Sequence, residues 1–279
     1  MLFCVVFLFK VKIIKSKTFF KFEKKYTMRT RSMLRSGNPS LNSKVFENLE
    51  RPSSGHLLRD DVMTIQGTVD KTGISLALLI FAGYFAYVPN GLMYMIIGGL
   101  GGLIVAFITI FKKTWAPITV PLYAMLEGLL LGSISYMYGQ MFDGIVLNAV
   151  ILTVSILVSL LLVYKSGYIK VTENFKLGIA AATGGIFLVY LFSFIGGFFG
   201  LNFSFLDSTN GSLMSIGISL FIVIIASLNL VMDFDFIEEG AEKGAPKYME
   251  WYGAFGLLVT LVWLYLEILR LLAKLNSRK

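Results

Sequence analysis

Four acidic residues lie where the sequence is otherwise apolar, and their presence there needs an explanation. Glu127, Asp233, Asp235 and Glu267 fall within, or at the ends of, long hydrophobic runs. A charged side chain costs roughly 2.5–3.5 kcal/mol at the centre of a membrane helix, so such residues are retained for pairing or for function. A carboxyl in a low-dielectric site can hold a proton or bind a hard cation through its oxygens. We therefore predict that these acids sense pH or ions.

Each acid also has a structural interpretation. Arg270 follows Glu267 by three residues on the same helical face, which predicts a salt bridge between them. Asp235 precedes three glutamates and can belong to a solvated helix end. Glu127 has no basic neighbour in the sequence, and a protonated carboxyl bonded to an adjacent helix would explain it as well as a functional role.

Other kinds of chemistry find little support. The single histidine is His56 and the single cysteine is Cys4, and both precede the long apolar runs. The sequence has no nucleophile-elbow, HExxH or phosphate-loop motif. We therefore expect no enzymatic activity, no catalytic residue and no bound cofactor.

The elements that hold the acids must be membrane helices. The chain of 279 residues is 56% hydrophobic and 15% charged, whereas soluble domains carry about 25% charged residues. A membrane helix needs roughly 20 apolar residues, and the chain has several uncharged runs of that length. Because these runs are solidly apolar rather than alternating, they favour helices over a β-barrel. The uncharged runs are 72–111, 144–164, 177–206 and 208–232.

The runs divide into seven predicted spans. Lysines concentrate in the loops after spans two, four and six, whereas the alternate loops have no Lys or Arg, so the N-terminus is predicted to be cytoplasmic. Seven crossings then place the C-terminus outside, although Lys274, Arg278 and Lys279 favour the inside. The last segment therefore either re-enters the membrane or crosses it against this bias. The predicted spans are about 72–88, 91–111, 117–138, 143–164, 177–199, 212 to beyond 233, and 251–273.

Two polar segments precede the predicted seven-helix domain at 71–279. Residues 1–27 contain seven lysines and one acid, so most of the net charge of +8 is local. We interpret them as sequence upstream of a true start at Met28 or Met33, or as a leader. Residues 28–70 read as a cytoplasmic, largely irregular arm with Pro and Gly turns.

The stretch 229–275 is distinctive. Asp233 ends the sixth predicted span and is followed four residues later by Ile237, and a Leu-Tyr-Leu-acid-Ile pattern places Glu267 in the last span with Arg270 close by. These features resemble the Bax inhibitor family, in its bacterial YccA-like branch, over about residues 34–275. Similar but more diffuse matches occur at 36–41 and 126–128.

The resemblance implies a seven-helix bundle in which the last helix is central. It also implies that Asp233 and Glu267 form a pH-sensing carboxyl pair that gates a calcium leak. The chain departs from the family pattern in two ways. The last-span acid is Glu rather than Asp, and span two has no acid, with only Lys112 and Lys113 near its end.

These observations predict a pH-sensitive calcium leak in the cytoplasmic (inner) membrane. The expected partners are the lipid bilayer, protons and calcium, with calcium bound transiently by Asp233 and Glu267 and no nucleic acid. At higher pH the two carboxyls would repel and open the pore, and at lower pH a shared proton would close it. The alternative is a regulatory protein whose arm restrains a membrane-bound quality-control protease.

Overall fold

The computed structural model describes residues 62–169, 171–201 and 203–278. Within these residues, seven helices are long and apolar enough to cross a membrane, which confirms the predicted all-α membrane fold. The predictions for residues 1–61 lie outside the described residues. In chain order the helices are α1 (Ile65–Ala86), α2 (Leu92–Phe111), α3 (Ala116–Met141), α4 (Ile145–Lys165), α5 (Glu173–Phe198), α6 (Leu213–Glu242) and α7 (Met249–Ser277).

Helix α7 lies at the centre of the bundle, as the resemblance implies. In the most apolar 18-residue window of each helix, 78% of α7 is buried, against 22% of α1 and 17% of α4 and α5. Helix α7 contacts α1, α3, α4 and α6. The outer helices keep large apolar side chains on their exposed faces, because a lipid environment solvates such side chains.

Small residues let α1 and α2 approach α3 closely. A Cβ atom at Gly98 would lie 2.5 Å from the carbonyl oxygen of Leu126, and one at Gly132 would lie 2.2 Å from that of Gly83. These backbone contacts therefore need glycine. The packing role does not extend to Gly185 in α5, where a Cβ atom would meet no described atom within 4 Å.

The first helix begins earlier than the predicted residue 72. Thr64 caps α1, since its side chain accepts a hydrogen bond of 2.9 Å from the Gly67 amide. Just before the cap, the Met63 amide donates to the Ala245 carbonyl at 2.7 Å. Residues 65–70, which the sequence analysis assigned to the arm, are thus helical and joined to the helix bundle.

The last helix is a single continuous helix that is long and apolar enough to cross a membrane. Its 29 residues extend roughly 43 Å, more than the thickness of a bilayer core. Lys274 near its end is buried and donates hydrogen bonds to the carbonyl oxygens of Phe205 at 2.7 Å and Ser215 at 3.3 Å. The connection between α5 and α6 therefore stabilises a basic residue at the end opposite the lysine-rich loops.

Candidate functional site

Glu267 lies in a cage of donors between α5 and α7. Its side chain is 1% exposed and forms an ion pair of 2.9 Å with Arg270, at the three-residue spacing seen in the sequence. The Tyr190 hydroxyl donates to the same carboxylate at 3.0 Å and the Trp263 indole at 3.3 Å. Arg270 also donates to the Tyr190 hydroxyl. The charge of Glu267 is therefore compensated within the bundle.

Asp233 lies at the contact between α6 and α7 and is 1% exposed. The Thr260 hydroxyl donates a hydrogen bond of 2.6 Å to its carboxylate. This donor is neutral, whereas Arg270 brings a full charge to Glu267. Asp233 is thus a buried acid on the central seam of the molecule.

The contacts place Asp233 and Glu267 at different levels of α7. Asp233 lies beside Thr260, and Glu267 is seven residues further along the helix, which corresponds to roughly 10 Å. Each carboxyl has its own donors. Thr260 and Arg270, which donate to the two carboxyls, are therefore different groups on α7, and the carboxyl pair that the resemblance implies stays a prediction.

Asp235 belongs to the polar end of α6, outside the central seam. It forms an ion pair of 3.0 Å with Lys176 at the start of α5. Nearby, Glu238 accepts a hydrogen bond from Tyr164. A polar cavity of about 350 Å³ is lined by Lys176, Asp235, Glu238, Glu239 and Glu242. Among the described residues, no group of three or more His, Cys, Asp or Glu side chains could hold a metal ion.

Glu127 lies near the middle of α3. It is 2% exposed and faces α2, where a Cβ atom at Gly102 would lie 2.9 Å from its Oε1. Its Oε2 and the hydroxyl of Tyr123, one helical turn away, have no hydrogen-bond partner among the described residues. Glu127 therefore lies at the contact of α3 with α2, whereas the other three acids lie on α6 and α7.

Glu250 is a buried acid that the sequence analysis missed. It is fully buried in the first turn of α7 and forms ion pairs with Lys71 at 2.5 Å and Lys247 at 3.1 Å. The Thr64 amide and hydroxyl donate to it at 2.9 and 2.8 Å. One carboxylate thus joins the start of α1 to the start of α7. In the sequence, the three-residue spacing of Lys247 and Glu250 could have indicated an ion pair at this acid, whereas the other partners of Glu250 are distant in sequence.

The fold and the buried acids define a class: a polytopic α-helical membrane protein whose central helix carries compensated carboxyls. A family model described as Bax inhibitor 1 like matches residues 11–277. The chain therefore belongs to the Bax inhibitor 1 like family. Comparisons with curated proteins and with solved structures gave no match.

Proposed function

We propose that this protein is a pH-sensitive calcium leak in which buried carboxyls control the passage of a cation across the membrane. The observation that carries the proposal is the position of Asp233, an acid with 1% exposure on the seam between α6 and the central helix α7. Acids at membrane depth are costly and mark ion or proton pathways. Membership of the Bax inhibitor 1 like family agrees with the proposal.

In this proposal, protons and cations compete for Asp233. An ionised carboxylate attracts a cation, and a proton removes that attraction. The Thr260 hydroxyl donates a hydrogen bond to this carboxylate. Flux should therefore fall as the pH is lowered.

Glu267 takes a different part in the proposal. In the described conformation its partner is Arg270 rather than Asp233. Direct pairing of the two carboxyls belongs to a second conformation, in which α6 and α7 shift relative to each other and Glu267 leaves Arg270. A shared proton would stabilise that closed conformation at low pH, and repulsion between two ionised carboxyls would disfavour it at high pH.

The lysine distribution supports an orientation with the start of α1 in the cytoplasm. The loops after α2, α4 and α6 lie at one end of the bundle, which we call the lysine-rich end, and contain Lys112, Lys113 and Lys243 among others. We propose that this end faces the cytoplasm and that the protein resides in the inner membrane.

The proposal is tested by calcium flux into proteoliposomes that contain the purified protein. Flux should rise from mildly acidic to mildly alkaline pH, and the double variant Asp233→Asn with Glu267→Gln should lose this dependence. An unchanged pH response in the double variant would reject the carboxyl mechanism. Absence of flux above that of empty liposomes would reject the leak and favour the regulatory alternative.

A further inference from the structure

On α3, near its seam with α2, two buried polar atoms have no hydrogen-bond partner among the described residues. Glu127 is 2% exposed and Tyr123 is fully buried. The Glu127 Oε2 and the Tyr123 hydroxyl have no hydrogen-bond partner among the described residues. Buried polar groups are nearly always hydrogen-bonded, because an unsatisfied group costs free energy. Two such atoms one helical turn apart indicate that this seam binds something.

The groups that surround the seam are apolar or backbone. Helix α2 presents Gly102, where an added Cβ atom would lie 2.9 Å from the Glu127 Oε1. Helix α7 packs the ring of Phe255 against that of Tyr123, with ring centroids 5.0 Å apart. Helix α1 contributes Leu79 beside the same stretch of α3. An ionised Glu127 would therefore lie in a medium that gives its charge little compensation.

Several charged groups of α1 and α7 are engaged with other partners. On α1 and α7, Lys71 pairs with Glu250 at 2.5 Å, and Glu267 pairs with Arg270. Within the described residues, no ion pair joins any of these groups to Glu127. Two lysines near the end of α2 lie over aromatic rings, Lys113 over Tyr252 at 5.0 Å and Lys112 over Trp115 at 4.5 Å from the ring centroid. Two tyrosine hydroxyls form hydrogen bonds, Tyr265 with Ser135 at 2.6 Å and Tyr164 with Glu238.

A row of hydroxyl groups leads from this acid toward the lysine-rich end. Thr119, Tyr123 and Glu127 follow one another at four-residue intervals along α3, which is roughly 6 Å per step. The hydroxyl of Thr109, near the end of α2, donates to that of Thr119 at 2.7 Å. Both threonines are buried. The two threonines lie between Glu127 and the loop that carries Lys112, and no hydrogen bond among the described residues joins Thr119 to the Tyr123 hydroxyl.

We propose that Glu127 and Tyr123 form a proton-binding site that is loaded from the lysine-rich end through the hydroxyls of Thr119 and Thr109. With the proton bound, Glu127 is a neutral carboxylic acid. On release, the proton passes to water at the lysine-rich end, and the carboxylate accepts a hydrogen bond from Tyr123. This site is separate from Asp233, and its existence does not depend on calcium conduction.

Infrared spectroscopy of the full-length protein in lipid tests the site directly, through the carbonyl stretch of a protonated carboxylic acid. The wild-type band should weaken as pH rises, and Glu127→Gln should remove the titrating part. Tyr123→Phe should raise the ratio of protonated to ionised carboxyl about tenfold at a fixed pH, because the carboxylate loses a donor. Tyr265→Phe, which removes a remote hydroxyl on α7, should leave the titration unchanged.

Two results would overturn the proposal. A band that disappears in Glu127→Gln but never titrates in the wild type would show a permanently protonated, structural acid. A spectrum that is the same in wild type and Glu127→Gln at every pH would show that Glu127 stays ionised. If Glu127→Gln does not fold, Tyr123→Phe still decides, since an unchanged titration in that variant contradicts the site.

The loading route has its own test. In heavy water the carboxylic acid band shifts as the proton exchanges for deuterium. Thr119→Val interrupts the hydroxyl row and should slow this exchange at Glu127 at least severalfold relative to wild type, whereas Thr153→Val, on α4, should not. Equal exchange rates in wild type and Thr119→Val would overturn the route through Thr119. These readouts need no flux, so they stand apart from the test of the calcium leak.

Discussion

Glu267 and Glu127 are the same residue type at nearly the same burial, yet their surroundings differ. Glu267 is 1% exposed and accepts hydrogen bonds from Arg270, Tyr190 and Trp263. Glu127 is 2% exposed, and its Oε2 has no hydrogen-bond partner among the described residues. Both lie within helices that can span a membrane.

The difference shows that burial alone does not determine how an acid is used. A buried carboxylate that is paired with a guanidinium and two further donors keeps its charge as part of the framework. A buried carboxyl without such donors is easily neutralised by a proton, because its ionised form is poorly compensated. Loss of a charge at the Glu267 site should therefore cost much more stability than loss of the charge of Glu127.

The largest effect should come from Arg270→Gln, which leaves Glu267 buried without its cation. We expect a loss of about 3 kcal/mol in stability, reduced from a fully buried pair because the Arg270 side chain is 24% exposed. Unfolding in mixed detergent measures this loss. The double variant Arg270→Gln with Glu267→Gln should recover much of the stability, and a double variant no more stable than Arg270→Gln would contradict the paired-charge account.

Glu250→Gln should have the next largest effect, because it removes the charge that pairs with Lys71 and Lys247. We expect a loss of about 2 kcal/mol and faster amide hydrogen exchange at the start of α1. The matched control is Glu239→Gln, which removes a surface ion pair with Lys243 and should cost less than about 0.5 kcal/mol. Equal losses in both variants would refute the role of Glu250 in joining α1 to α7.

Thr260→Val removes the hydroxyl that donates to Asp233 and should cost about 1.5 kcal/mol. Unfolding in mixed detergent measures this loss. Thr153→Val is the control, because its hydroxyl bonds to the Ala149 carbonyl of its own helix. Equal losses of stability in Thr260→Val and Thr153→Val would contradict the role of the hydrogen bond to Asp233.

The smallest loss of stability should come from Glu127→Gln. The amide has nearly the same shape as the acid, and no described ion pair is broken, so we expect a change below about 1 kcal/mol in the same unfolding measurement. A loss comparable to that of Arg270→Gln would show that Glu127 is a structural anion, and would remove the contrast between the two glutamates.

The sequence predicted the seven helices because an apolar run long enough to span a bilayer has few other stable states. It also predicted contacts within one helix, such as that of Glu267 with Arg270. It could not predict contacts between distant elements. Asp233 and Thr260 are 27 residues apart, and Glu250 is 179 residues from Lys71. Such contacts depend on how the helices pack, and the spacing of residues within each helix does not show which helices meet.

The early start of α1 has the same origin. The residues at 65–70 are polar enough to read as part of an arm, and their helical state is set by the Thr64 cap and by contacts with Glu250. The position of Glu267 along the bundle relative to Asp233 also depends on packing, because it is set by how α7 lies against α6.

The most direct test of the account compares calcium flux in Asp233→Asn and Asp235→Asn proteoliposomes across the same pH range. Both variants remove one negative charge from α6, but Asp233 lies on the buried seam and Asp235 pairs with Lys176 at the polar end. The account predicts that Asp233→Asn loses the rise of flux with pH and that Asp235→Asn keeps it. Flux that keeps its pH dependence in Asp233→Asn would contradict the central claim.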